Sequence, residues 1–131
     1  MIQKGNKMKT KIMIIEDSYT NRVLFKALLE ELDIEVFEFS NAVKALKMME
    51  STQPDIILLD ICMPIMTGFE FLHELRQSYP NLPVLVISAL DDTSYMEQAY
   101  ALGANEYLVK PVASEELIRR LSCYIECELT Y

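Results

Sequence analysis

The fold is specified by one central segment, Asp55-Ile-Ile-Leu-Leu-Asp60-Ile-Cys-Met-Pro-Ile-Met-Thr-Gly68. Residues 56–59 are all aliphatic, which predicts a short strand buried on both faces in the middle of a parallel sheet. Asp60 then ends the strand at the carboxyl edge, where open α/β sheets bind their ligands. Because Met-Pro and Thr-Gly follow, the chain must leave the sheet in a constrained loop. Asp60 is therefore a carboxylate held at a rigid edge, and it is the first candidate functional residue.

Four more apolar runs predict strands, at residues 11–15, 36–39, 84–87 and 106–109. Helices are predicted between and after them: one capped by Ser18, one capped by Ser40 or Asn41 that runs to Met49, one at 69–77, one from Thr93 (its cap) to Leu102 and one capped by Ser114. Apolar spacing in the first helix predicts an inward face of Val23, Leu24, Ala27, Leu28 and Leu32. Strands that alternate with helices imply a parallel sheet covered on both faces, so we predict a doubly wound (βα)5 sandwich.

The composition limits the class of protein. The chain has 131 residues, enough for one domain, and we expect a flexible leader at 1–10 and the domain at 11–128. A net charge of −8 argues against direct nucleic-acid binding through a broad basic surface. No apolar run approaches the roughly 20 residues of a membrane span, and the N-terminus lacks the apolar region of a secretory signal. We therefore expect no membrane insertion, a cytoplasmic location and free thiols.

Polar residues of particular kinds follow four of the five predicted strands. Glu16-Asp17 follows the first strand, Asp60 the third, Ser88 the fourth and Lys110 the fifth. Because all strands of a parallel sheet end at the same edge, these residues are expected to converge. Polar residues must appear wherever strands leave a core, which by itself explains one or two of them. Three acids, a hydroxyl and a lysine together indicate a site.

The chemistry of this set points to phosphoryl transfer. Neighbouring carboxylates repel one another, and a bound cation relieves that repulsion. Oxygen ligands without nearby histidines or thiolate pairs favour a hard ion, Mg²⁺ with Mn²⁺ as the alternative. A carboxylate beside Mg²⁺ and an ammonium group can attack phosphorus to give an aspartyl phosphate. We predict that Asp60 is the nucleophile, and that Lys110 and the Ser88 hydroxyl meet the charge on the phosphoryl oxygens.

The sequence resembles a receiver (response-regulator) domain of bacterial two-component signalling over residues 11–126. The resemblance rests on Glu16-Asp17, segment 60–68, Ser88-Ala89, Tyr107 and Lys110-Pro111. Each motif alone is weak, but their combination in this order is specific. The resemblance implies a flavodoxin-like fold whose five-stranded parallel sheet has the order 2-1-3-4-5.

The resemblance also implies the acceptor and the metal ligands. Asp60 is the implied phosphoacceptor. Asp17 is implied to bind Mg²⁺ directly, and Glu16 to bind it directly or through water. Asp60 itself and the backbone carbonyl of Cys62 are the remaining implied ligands.

Other matching residues are implied to bind the phosphoryl group or to respond to it. Ser88, Ala89 and Lys110 are the implied phosphoryl-binding residues. A phosphate adds roughly −1.5 to −2 charge and three acceptor oxygens, which would draw Ser88 toward it and make room for Tyr107. Ser88 and Tyr107 would thus form the switch, and the peptide bond before Pro111 is expected to be cis.

The implied partners are proteins. The phosphodonor would be a histidine kinase or a histidine phosphotransfer protein, and a downstream protein would bind the face of the fourth helix, fifth strand and fifth helix. A phosphorylation-dependent homodimer is a further alternative. The chain would catalyse only its own phosphorylation and dephosphorylation, so we do not expect a turnover enzyme. It would be a stand-alone regulator or a receiver excised from a hybrid sensor kinase or larger regulator.

Some residues depart from the family pattern or are expected to have no chemical role. Cys62 and Leu90 occupy positions that border the attacking water in this family, yet neither side chain is suited to orient water. We therefore predict slow autodephosphorylation. Asn21-Arg22 resembles receivers of hybrid sensor kinases, but we expect both to be ordinary surface residues of the first helix. His73 is expected to face solvent, and the pair Cys123 and Cys127 to pack as ordinary helix residues.

Three other functions fit parts of the pattern. A phosphohydrolase of the haloacid-dehalogenase kind would carry a general acid two residues after the nucleophile, where this chain has Cys62. A flavodoxin-like electron carrier would need a phosphate-binding loop after the first strand, where Glu16-Asp17 would instead repel a phosphate. A pseudo-receiver would bind partners without phosphorylation, which the intact set of acids disfavours.

Overall fold

The computed structural model describes residues 9–125 and contains a five-stranded sheet. The strands are β1 (Thr10–Ile15), β2 (Ile34–Phe39), β3 (Ile56–Leu59), β4 (Val84–Ser88) and β5 (Glu106–Val109). All neighbouring strands pair in parallel, in the order β2-β1-β3-β4-β5. The predicted (βα)5 fold and strand order are confirmed. Most of the predicted leader, and the end of the predicted domain at 126–128, lie outside the described residues.

Helices cover both faces of this sheet: α1 (Tyr19–Leu28), α2 (Ala42–Lys47), α3 (Met49–Thr52), α4 (Gly68–Ser78), α5 (Thr93–Ala101) and α6 (Ser114–Ile125). Successive side chains of a strand point to opposite faces. Met13 and Ile15 therefore pack in the layer of α2–α5, whereas Ile12 and Ile14 pack with α1 and α6. This double burial explains the continuous apolar runs in the sequence. Within residues 9–125, no helix is both long and apolar enough to cross a membrane.

Helix α1 buries a different face from the one predicted. Phe25 and Leu29 are buried in the layer shared with α6, and Leu28 and Leu32 are half-buried. The predicted inward residues that are instead exposed are Val23, Leu24 and Ala27. Spacing could not select the face, because apolar residues occur on both sides of this helix. The large Phe25 ring goes to the core, and smaller aliphatic side chains remain in water.

Two predicted helix limits also differ. The second helix, expected to run to Met49 from a cap at Ser40 or Asn41, is capped by Asn41 and is divided at Met48, whose ψ of 5° interrupts the helical path between α2 and α3. Helix α5 is capped by Asp92 rather than by Thr93, and the Asp92 side chain accepts the Ser94 N–H at 2.9 Å. A carboxylate is the stronger acceptor at such a cap, which explains the shift by one residue.

The loop between β3 and α4 is held close to the end of β3. Gly68 donates its N–H to the Ile61 carbonyl at 2.9 Å. A Cβ atom at position 68 would lie 2.6 Å from both the Asp60 carbonyl oxygen and the Ile61 Cα. Thr67 then caps α4 and forms a capping box with Glu70. A glycine is therefore required where α4 begins, because the loop after Asp60 brings this position against the backbone of Asp60 and Ile61.

Candidate functional site

The strand order brings the predicted site residues to one edge of the sheet. β1 and β3 are neighbours, so their ends adjoin, and β4 and β5 follow beside them. The Asp60 N–H donates to the Ile15 carbonyl at 3.0 Å, which places Asp60 next to Glu16. β1 leads to α1 on one face, whereas β3 leads to α4 on the other face. Doubly wound sheets bind their ligands at such a point.

Three carboxylates meet there. Glu16, Asp17 and Asp60 each place an oxygen within 4.8 Å of the others. Glu16 and Asp60 are only 2% and 6% exposed, whereas Asp17 is exposed to solvent. Burial of two like charges side by side is unfavourable unless a cation joins them.

Lys110 supplies a cation at this edge. Its Nζ donates to the Glu16 Oε1 at 2.8 Å and lies 3.5 Å from the Asp60 Oδ2. Its N–H donates to the Ser88 carbonyl at 2.8 Å, which ties the ends of β4 and β5 together. The Lys110–Pro111 peptide bond is cis. The lysine thus bridges two acids, with Glu16 as the closer partner.

These contacts determine the ionisation of the site. Burial, and then the charge of Glu16, raises the pKa of Asp60 to about 6, although Lys110 and the Cys62 N–H act in the opposite direction. Burial disfavours the charged form of Lys110, but the hydrogen bond to Glu16 and the charge of Asp60 outweigh it and raise the lysine pKa. The site therefore holds a firmly charged lysine beside a carboxyl group that resists ionisation.

Glu16 has further partners that the sequence did not reveal. Its Oε2 accepts the Ser18 N–H at 3.2 Å and faces the Asn21 amide at 3.5 Å. Its carbonyl accepts an N–H of the Arg22 guanidinium at 2.7 Å. The expectation that Asn21 and Arg22 are ordinary surface residues is therefore wrong. The available signal was their place in the first turn of the helix that follows Glu16-Asp17.

The donor set fits a hard divalent ion. The group of neighbouring potential ligands in the described part of the chain contains carboxylates only. Glu16, Asp17 and Asp60 would hold Mg²⁺ with water in its remaining positions, and the exposed Asp17 leaves room for that water. The Cys62 N–H donates to the Asp60 Oδ1 at 3.2 Å, so the loop after β3 also fixes the carboxylate. The Cys62 carbonyl as a further ligand remains a prediction.

A second group of contacts joins the ends of β4 and β5. Ser88 is fully buried, and its Oγ accepts the Leu90 N–H at 3.1 Å. The Tyr107 hydroxyl donates to the Leu90 carbonyl at 2.7 Å, and Tyr107 as a whole is 8% exposed. Ala89, which lies between Ser88 and Leu90 in the chain, is exposed. The Leu90 backbone is thus held at both its N–H and its carbonyl, by the Ser88 and Tyr107 hydroxyl groups.

The other candidates lie apart from the acids. His73 is exposed on α4, where it lines a shallow groove with Ile65 and Phe69. Cys123 is a free, exposed thiol on α6. Cys127 lies outside the described residues, so the expected packing of that pair is not tested.

Comparison with known proteins gives consistent matches. The family model described as "Response regulator receiver domain" matches residues 12–122. The response regulator MprA of Mycobacterium ulcerans is 34% identical over 114 residues, which cover 87% of this chain and 49% of that protein. Chemotaxis protein CheY of Listeria monocytogenes is 31% identical over 112 residues, which cover 85% of this chain and 94% of that protein. The chain thus spans about half the length of the MprA relative and nearly all of the CheY relative.

Solved structures show the same similarity. Chemotaxis protein CheY4 of Vibrio cholerae superposes with a TM-score of 0.83 at 28% identity, covering 89% of this chain and 99% of that one. The receiver domain of the Francisella response regulator 1452 gives a TM-score of 0.84 at 28% identity, covering 91% and 98%. Both proteins share the fold over nearly their whole chains.

Proposed function

The chain belongs to the response regulator receiver domain family, and we propose that it is a phosphorylation-controlled signalling switch whose phosphoacceptor is Asp60. One observation carries the proposal. The Asp60 carboxylate shares one point of the sheet edge with two further carboxylates and with the Lys110 ammonium group. Such a set offers a nucleophile, ligands for a divalent cation and a positive charge for the phosphoryl oxygens.

The proposed reaction is a transfer from a phosphorylated histidine. A carboxylate oxygen of Asp60 forms a bond to phosphorus while the bond between phosphorus and the histidine nitrogen breaks. The electron pair of the broken bond remains on the imidazole, and the product is an aspartyl phosphate. Lys110 and the Ser88 hydroxyl donate to the phosphoryl oxygens as their charge develops. Later attack by water on phosphorus regenerates Asp60, so we propose self-modification without turnover of another substrate.

Mg²⁺ would be held by Glu16, Asp17 and Asp60, and when bound it supplies positive charge to the carboxylates and the phosphoryl oxygens. The nucleophile must be ionised to attack. With the pKa of Asp60 raised to about 6, a fraction of the molecules carries a protonated Asp60 just below neutral pH when no metal is present. A bound cation would reduce the repulsion between Glu16 and Asp60. It would thereby favour the ionised form of Asp60, which is the form that reacts.

We propose that the Ser88–Leu90–Tyr107 contacts carry the signal. A phosphate on Asp60 would add about −1.5 to −2 charge and three acceptors beside the buried Ser88. Rotation of the Ser88 hydroxyl toward them would weaken its bond with the Leu90 N–H, and Leu90 also holds the Tyr107 hydroxyl. Movement of these groups would change the face formed by α5, β5 and α6, where we propose that the downstream protein binds.

The proposed phosphodonor is a histidine kinase or a histidine phosphotransfer protein. Helix α1 offers a docking surface for it, because Tyr19, Val23 and Leu24 are 70%, 44% and 54% exposed. Exposed apolar side chains of this kind mark protein contacts when they lie together. The helix begins directly after the acid pair, so a protein seated on it would lie beside Asp60.

The proposed setting follows from charge and thiols. Cys62 and Cys123 are free and exposed, which suits a reducing compartment such as the cytoplasm. The net charge of −8 disfavours direct contact with nucleic acid, so the proposed output is protein contact. The proposal applies equally to a stand-alone regulator and to a receiver domain within a longer protein.

Incubation with a small phosphoramidate tests the proposal. We expect the chain to gain a phosphate in Mg²⁺ and not in excess EDTA, as measured by the mass of the intact protein. The phosphate should be removed by neutral hydroxylamine, which cleaves acyl phosphates. A phosphate that forms equally well in EDTA, or that resists hydroxylamine, would contradict an aspartyl phosphate made at a metal site.

A further inference from the structure

We infer that Arg22 is a positioning residue for the metal site of the switch, acting on Glu16 through its main-chain carbonyl. The inference rests on the proposed function, because it concerns the affinity of that site for Mg²⁺. Arg22 is neither an acid nor directly adjacent to the acids in sequence. Its guanidinium contacts the main chain of Glu16 and not the carboxylates of the site.

The guanidinium of Arg22 is fixed on several sides. One terminal N–H donates to the Glu16 carbonyl at 2.7 Å, and the Nε–H donates to the Glu38 Oε1 at 3.1 Å. The guanidinium carbon lies 5.7 Å from the centre of the Tyr19 ring, and the side chain is only 15% exposed. Hydrogen bonds of a charged donor in such a place are stronger than neutral ones. Arg22 therefore joins the end of β1 to β2.

The carbonyl that Arg22 holds belongs to a decisive peptide group. The Glu16 carbonyl and the Asp17 N–H are parts of one planar unit, so rotation of that unit would displace the acids on both sides of it. Only residues 16–18 connect β1 with α1, and two of those three residues, Glu16 and Asp17, are predicted metal ligands. A fixed carbonyl thus fixes the direction in which both carboxylates leave the backbone.

A purely electrostatic role would have the opposite effect on metal binding. A guanidinium near the acids repels Mg²⁺, so its removal would strengthen binding if charge were its only contribution. If it positions Glu16-Asp17, its removal should weaken binding instead. Partners that orient metal ligands commonly change affinity by about 10- to 100-fold when they are removed.

The structure provides a matched control. Lys26 donates to the same carboxylate as Arg22, at 2.7 Å from the Glu38 Oε2, but no hydrogen bond or ion pair joins it to Glu16 within residues 9–125. Arg22→Met and Lys26→Met each remove one positive charge and one partner of Glu38. Only Arg22→Met frees the Glu16 carbonyl. Methionine keeps most of the apolar stem of either side chain.

The test is calorimetric titration of the whole chain with MgCl₂, together with thermal unfolding of each variant. We expect Arg22→Met to bind Mg²⁺ about tenfold more weakly than the wild type, and Lys26→Met to stay within about twofold. Arg22→Lys keeps the charge and should recover part of the affinity. Equal or tighter binding by Arg22→Met, or equal weakening by both methionine variants, would overturn the inference.

Two further outcomes are also decisive. If Arg22→Met fails to fold, the Mg²⁺ affinity of Arg22→Lys decides, because the shorter lysine side chain cannot hold both the Glu16 carbonyl and the Glu38 carboxylate. Weakened Mg²⁺ binding by Arg22→Lys then supports the inference, and Mg²⁺ binding equal to that of the wild type overturns it. A wild type that binds no Mg²⁺ would remove the metal site of the proposed function and this inference with it. A wild type that binds Mg²⁺ with an unaltered Arg22→Met variant would remove only the inference.

Discussion

Lys110 and Glu16, 94 residues apart in the chain, form the shortest ion pair of the site, with 2.8 Å between the lysine Nζ and the Glu16 Oε1. The distance from the same Nζ to the Asp60 Oδ2 is 3.5 Å. Lysine thus neutralises mainly the more deeply buried acid, and the pKa of Asp60 remains raised. In the metal-free site the charge of Glu16 opposes the ionisation of Asp60, and a bound divalent cation would reduce that repulsion.

Replacement of this lysine should destabilise the metal-free protein. Lys110→Met leaves two buried acids without a cation, and removal of one partner of a buried pair costs about 3 kcal/mol. Urea unfolding at pH 7 in EDTA measures the loss. Lys26→Met is the control, because Lys26 is 49% exposed and exposed pairs contribute less than about 1 kcal/mol. Similar small losses in both variants would show that the pair with Glu16 does not stabilise the fold.

Ionisation of Asp60 should weaken the metal-free fold. An unfolded aspartate has a pKa of about 3.9, whereas the folded pKa of Asp60 is raised to about 6. The folded state binds the extra proton between these values, so this contribution to stability is full below about pH 4 and is lost as the pH rises through 6. Asp60→Asn removes the titration. We expect the variant to be more stable than the wild type at pH 7 in EDTA.

Urea unfolding from pH 4 to pH 7 measures this effect, with Asp55→Asn as the matched control. Asp55 lies just before the other end of β3 and accepts the Lys11 N–H, a bond that asparagine can keep. Added Mg²⁺ should stabilise the wild type and Asp55→Asn more than Asp60→Asn. A wild type that equals or exceeds Asp60→Asn in stability at pH 7 without metal would show that Asp60 ionises without penalty.

Gly68 should tolerate no side chain. Alanine in place of a glycine within a helix usually stabilises a protein by up to about 1 kcal/mol. At position 68 the new Cβ would lie 2.6 Å from backbone atoms of Asp60 and Ile61. We expect Gly68→Ala to lose about 2 kcal/mol and to be phosphorylated more slowly, whereas Gln77→Ala on the exposed side of α4 should do neither. Wild-type stability in Gly68→Ala would mean that the loop after Asp60 can move aside.

The lifetime of the phosphorylated form should be long. Neither Cys62 nor the half-buried Leu90 is well suited to orient a water molecule for attack on the phosphoryl group. The double variant Cys62→Asn/Leu90→Glu should lose its phosphate faster than the wild type, as followed by intact mass after removal of the phosphodonor. Ile65→Asn changes an exposed residue of the same loop and should leave the decay unchanged. Equal decay in the wild type and the double variant would refute the prediction.

The sheet and the principal acids could be predicted from the sequence because both depend on short-range patterns. Continuous apolar runs mark strands that are buried on both faces, and parallel strands end at one edge. Glu16, Asp60 and Lys110 therefore converge once the strand order is known. The buried face of α1 could not be predicted, because apolar residues occur on more than one side of this helix. Which side is buried depends on which side chains best fill the space between α1 and α6.

The partners of Glu16 could not be predicted for a different reason. The role of Arg22 depends on a main-chain carbonyl, which has no side-chain signature in a sequence. The preference of Lys110 for Glu16 over Asp60 depends on distances of 2.8 and 3.5 Å at the same edge. Such differences follow from packing and not from spacing.

The central claim is that Asp60 accepts the phosphate, and one measurement tests it most directly. The wild type, Asp60→Asn and Asp55→Asn are each incubated with phosphoramidate and Mg²⁺, and the intact masses are compared. We predict one added phosphate on the wild type and on Asp55→Asn, and none on Asp60→Asn. An unmodified wild type, or a phosphate on Asp60→Asn at the wild-type level, would contradict the account.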